Sequence, residues 1–176
     1  MKSMLVVLIL AAVAAAQGWF HYWDGTLSRP GDDYGYALVH SFGSLPDGAE
    51  VIDQISFLPS FPTGVESGEY WIEIYNANKV AIADSGIFTV ENPAWYTWEF
   101  DGLVVGNAGV VDFWIEIGSP SSSSDSYVAW DPGVSSYGFK GTIQNPIPSR
   151  DFAINIHYLW EADLASATWG SIKAQF

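Results

Sequence analysis

From Tyr36 onward, apolar and polar positions alternate in short runs, broken by turn residues about every 8–15 positions. Glu69–Tyr75 sets Tyr70, Ile72 and Ile74 on one face and Trp71, Glu73 and Tyr75 on the other. Val110–Ile117 sets Val111, Phe113, Ile115 and Ile117 against Asp112, Trp114 and Glu116. Phe152–Leu159 lines up Phe152, Ile154, Ile156 and Tyr158. Shorter runs fall at Tyr36–Ser41, Val51–Leu58, Val80–Ala83, Ile87–Val90, Tyr96–Phe100, Tyr127–Trp130 and Tyr137–Thr142. Pro46-Asp47-Gly48, Asn76–Asn78, Asp84-Ser85-Gly86 and Asp101-Gly102 read as the turns between them. A period of two with one apolar face is the mark of a half-buried antiparallel strand. Two such sheets must bury their apolar faces on each other. The pattern therefore predicts an all-β chain, a single antiparallel β-sandwich, as a jelly roll of about eight strands.

The ends break the rhythm. Gln17–Gly35 is aromatic, acidic and rich in turn dipeptides, with no sustained period, and is read as a lead-in with turns. Ser119–Ser126 reads as a flexible surface loop. Glu161–Phe176 is Ala-rich, and its apolar positions Leu164, Trp169, Ile172 and Phe176 suit a short helical or irregular tail. Met1–Ala16 runs from Lys2 through an apolar stretch to Ala14-Ala15-Ala16, the order of a secretory signal cut before Gln17. That apolar stretch is shorter than the ~20 residues a membrane span needs. The expected organisation is a signal peptide over 1–16, a sandwich over 17–160 and a tail over 161–176, with no membrane span after cleavage. The expected location is outside the cell or on its surface.

Composition narrows the partners. The chain has 6 Lys+Arg against 20 Asp+Glu, a formal charge of −14, so nucleic-acid phosphates would be repelled. There is no cysteine, which removes disulfides, thiol nucleophiles and cysteine-held metal clusters. An exported fold without disulfides fits a bacterial setting better than an animal one.

Several stretches resemble a β-sandwich accessory module of secreted bacterial proteins. They are Tyr22-Trp23-Asp24-Gly25-Thr26, Ile55-Ser56-Phe57, Trp95-Tyr96-Thr97-Trp98, Tyr127-Val128-Ala129-Trp130-Asp131 and Arg150-Asp151-Phe152-Ala153-Ile154. Trp23 stands where such modules usually carry the first of two Asp residues. Thr168-Trp169-Gly170-Ser171-Ile172-Lys173 resembles a tail motif of some exported bacterial proteins. The resemblance implies a jelly-roll accessory module with no catalytic residues, and it names no ligand.

Candidate chemistry is sparse. No Gly-x-Ser-x-Gly elbow is present, and His21, His40 and His157 show no chelating spacing. His40 and His157 are expected as surface strand histidines. Asp24, Asp32 and Asp33, with Asp125 and Asp131, are weak candidates for a structural Ca²⁺, because none has the spacing of a calcium loop. Glu73 and Glu116 would suit a glycosidase only if a cleft separated them. The strongest hint is aromatic. Nine Trp and nine Tyr are many for one core, and Trp71, Glu73, Tyr75, Asp112, Trp114 and Glu116 form a candidate ligand face if nothing covers it. The expected function is a non-catalytic binding module with neutral carbohydrate as first ligand and a glycan or surface protein as partner. The alternative is a self-assembling surface or filament subunit, and a glycoside hydrolase comes third.

Overall fold

The computed structural model describes residues 17–23, 36–40, 51–61, 64–91, 94–107, 110–120, 127–131, 138–140, 142–148 and 151–159. The signal segment, Asp24, Asp32, Asp33, Asp125 and the tail lie outside the described residues. In chain order the strands are β1 (Gln17–His21), β2 (Tyr36–His40), β3 (Val51–Phe57), β4 (Pro59–Ser60), β5 (Ser67–Asn76), β6 (Ala81–Asp84), β7 (Phe88–Glu91) and β8 (Tyr96–Val104). There follow β9 (Gly106–Asn107), β10 (Val110–Val111), β11 (Phe113–Gly118), β12 (Tyr127–Val128), β13 (Trp130–Asp131), β14 (Gly138–Lys140), β15 (Ile147–Pro148), β16 (Asp151–Phe152) and β17 (Ile154–Leu159).

One sheet has the order β1-β17-β3-β8 and the other β15-β14-β2-β11-β5-β6, with β7 also paired to β5. With β6 and β7 taken as one interrupted strand, and the shortest strands set aside, eight strands remain. The first pairs with the last, the second with the seventh, the third with the sixth and the fourth with the fifth, all antiparallel. That folded ribbon is the jelly-roll order.

Two sheets face each other because their strands are apolar on one side. Ile55 and Phe57 of β3 and Ile154 and Ile156 of β17 meet Tyr70, Ile72 and Ile74 of β5 and Phe113, Ile115 and Ile117 of β11 in one buried cluster. Isoleucine suits this role, since its branched Cβ fits a pleated surface. Aromatic rings lock the two sheets at one end. Phe88 stacks on Tyr96 at 4.4 Å between centroids, and Phe57 lies 5.0 Å from Tyr70.

The structure corrects the sequence reading of the lead-in and of the Asp101-Gly102 dipeptide. The lead-in contains a strand: β1 pairs with β17 from Gln17↔Leu159 to His21↔Asn155. Its alternation is hidden because both faces are aromatic, with Phe20 and Tyr22 inward and Trp19 and His21 outward. Asp101-Gly102 is not a hairpin turn. It lies inside β8, where Glu99↔Gln54 is followed by Leu103↔Ile52, so the dipeptide is taken up in a bulge against β3.

Candidate functional site

The face singled out by the sequence is built by β5 and β11. Their register sets Glu116 directly opposite Glu73 and Trp114 opposite Tyr75. This face is covered at Tyr75 and Trp114. Ile143, in the turn after β14, and Phe139 of β14 pack on Tyr75 and Trp114, each of which is only 8% exposed. The Lys79 ammonium lies 5.2 Å from the centre of the Trp114 ring and adds a further cover. Trp71 and Glu73 are half-buried on β5, and Asp112 is half-buried just before β11.

Between the two glutamates sits the Tyr75 hydroxyl, bonded to Glu73 Oε2 and, at 2.9 Å, to Glu116 Oε2. A phenol has one proton, so both bonds are satisfied only if one carboxyl is protonated and donates back. Glu116 is suited to hold that proton, being 4% exposed. Burial foremost, and then the charge of Glu73, raise its pKa, against hydrogen bonds from Tyr75 and the Ile143 backbone that lower it. Burial, the bond to Glu73 and the charge of Glu116 likewise hold Tyr75 as a neutral phenol. The two carboxyls share one hydroxyl, and the Ile143 backbone bonds to the buried Glu116.

Of the calcium candidates only Asp131 is described. It is buried on β13, in register with Asp151. Among the described residues, no three His, Asp or Glu side chains gather into a group able to hold a metal ion. His157 is not a surface residue. Its Nδ1 lies 2.6 Å from Asp53 Oδ1, and its cross-strand neighbour Trp19 covers it at 5.2 Å between ring centroids. His40 lies in β2.

The opposite outer face, that of β1-β17-β3-β8, is open and holds a cavity of about 400 Å³. Its walls are indoles. Trp19 on β1 is 42% exposed and Trp95, just before β8, is 41% exposed. Trp23, two residues beyond β1, stacks on Trp95 at 5.9 Å and 29°. The floor is polar: Asn155 from β17, Ser56 from β3, Thr97 from β8 and His21 from β1. Asn155 Oδ1 is 2.9 Å from Trp23 Nε1 and 2.6 Å from His21 Nδ1. Thr97 Oγ1 donates to Ser56 Oγ at 3.2 Å, which leaves the Ser56 hydroxyl proton for another acceptor. None of the described residues lining this cavity is Asp, Glu, Lys or Arg.

No residue of this cavity belongs to the candidate set read from the sequence. Its signal was present in Trp19, His21 and Trp23, which alternate with Phe20 and Tyr22. Aromatics on both faces cancel the hydrophobic period but announce rings turned toward solvent. No family model matches the chain, and no curated protein or solved structure is similar enough to count as a match.

Proposed function

We propose that this chain is an exported, non-catalytic β-sandwich module that binds neutral carbohydrate, and that it does so on the outer face of β1-β17-β3-β8. The observation that carries this reading is an indole-walled cavity whose described lining holds no Asp, Glu, Lys or Arg, in a chain of net charge −14. Ligand sites combine apolar walls with a few placed polar groups. A sugar ring offers apolar C–H faces for Trp19 and Trp95 and hydroxyls for Asn155, Ser56, Thr97 and His21. Anionic ligands would meet an acidic protein and find no Lys or Arg among the described residues of the cavity.

The assembly alternative has less support. Edge strand β8 exposes Thr97, Glu99 and Asp101 in alternation, and acidic edges oppose edge-to-edge pairing. A glycan array carrying neutral and anionic glycans, run beside light scattering, separates the readings. Binding confined to neutral glycans by a monomer is the expected result. Binding of anionic glycans alone, or self-association with no glycan bound, contradicts it.

A further inference from the structure

We infer that His21 is the residue that selects ligand hydroxyls in this cavity, because Trp23 and Asn155 fix it in the tautomer whose Nε2 is a hydrogen-bond acceptor. The inference rests on the glycan-binding reading and deepens it. The indole nitrogen of Trp23 can only donate, so the Asn155 atom 2.9 Å away is its oxygen. That same oxygen lies 2.6 Å from His21 Nδ1 and can only accept. Nδ1 therefore carries the proton, and in a neutral imidazole the lone pair is left on Nε2. His21 is exposed and lines the cavity, so this acceptor is available to a ligand.

The site then holds an acceptor from His21 beside donors from Asn155 and Ser56, an arrangement suited to neighbouring hydroxyls on one sugar. Protonation of His21 would convert the acceptor to a donor and spoil the match. Among the described residues, the other titratable groups of this face are His157 on β17, held by Asp53 of β3, and Glu99 and Asp101, exposed on β8. None of the four lines the cavity.

Long-range nitrogen–proton NMR of the labelled protein reads the tautomer without any ligand. The expected result is His21 with its proton on Nδ1 at neutral pH, and loss of that preference in Asn155→Leu. A proton on Nε2 in the wild type, or no change in the variant, overturns the inference whatever the protein binds. The second measurement is a titration with soluble neutral glucan, mannan and xylan at several pH values. Binding is expected to weaken about tenfold once histidine is protonated. His157→Gln keeps the loss. Polysaccharide bound equally at all pH values overturns the role of His21 and leaves the glycan reading standing. No polysaccharide bound, with the tautomer as expected, overturns the glycan reading and the role of His21 with it.

Discussion

Trp23 and Trp95 stack on each other although they extend from the two opposite edges of a four-stranded sheet. Trp23 follows edge strand β1, and Trp95 precedes edge strand β8. The stack closes one end of the groove whose floor comes from the inner strands β17 and β3. Trp23 is also tied to Asn155, so it shapes the cavity, whereas Trp19 lies open along its side.

The two outer faces should respond differently to losing an indole. Trp114→Ala removes a ring packed under Ile143, Phe139 and Lys79, and should cost ~3–5 kcal/mol. Trp19→Ala removes an exposed ring that rests on His157 and should cost about 1 kcal/mol or less. Denaturant unfolding of both variants checks this, and equal losses would contradict the assignment of covered and open faces.

Glu116 gives stability a pH dependence with a definite sign. Its folded pKa is raised by burial, so the folded state holds a proton that the unfolded state has released. Its contribution is complete below the unfolded glutamate range and is lost as pH rises through the folded value. Glu116→Gln keeps the shape without the charge and should remove that decline, leaving the variant as stable as wild type or more so near pH 8. Unfolding curves across the pH range would show it. A wild-type decline that persists in Glu116→Gln would place its origin elsewhere.

Lys79 occupies a left-handed backbone position, φ 59°, in the turn joining β5 to β6. The turn is closed by Lys79 N–H to Asn76 O at 2.8 Å and by Asn76 Oδ1 accepting from Asn78 and Val80. Glycine normally fills such a position, and a residue with Cβ there costs ~1–2 kcal/mol. The ammonium over Trp114 returns ~0.5–1 kcal/mol. Lys79→Gly should therefore stay within about 1 kcal/mol of wild type, while Lys79→Ala, which keeps the strain and loses the cation, should be less stable than both. Thermal melts of the pair decide it, and equal melting temperatures would contradict the argument.

The sandwich was legible wherever one face of a strand was apolar and the other polar. β5, β11 and β17 lie in runs that alternation assigned, although Val110–Val111 and Phe152 fall in the separate strands β10 and β16, and Ile72, Ile74, Ile115, Ile117, Ile154 and Ile156 are buried as expected. The open site was not legible for the same reason. In β1 both faces are aromatic, so no period marks Trp19 and His21 as outward. Asn155 and Ser56 are the polar positions of otherwise apolar strands, and only pairing across β17 and β3 brings them together. What covers Trp114 could not be read either, because Ile143 belongs to a turn remote in sequence whose own neighbours are polar.

The most direct test of the account is calorimetric titration of neutral polysaccharide into the wild type, Trp19→Ala, Trp95→Ala and Trp114→Phe. Aromatic stacking makes the exposed indoles the main source of affinity. The account predicts binding by the wild type, a loss of tenfold or more in Trp19→Ala and in Trp95→Ala, and near-wild-type affinity in Trp114→Phe. Affinity that survives both exposed-indole substitutions and falls in Trp114→Phe would contradict it and return the site to the face of β5 and β11.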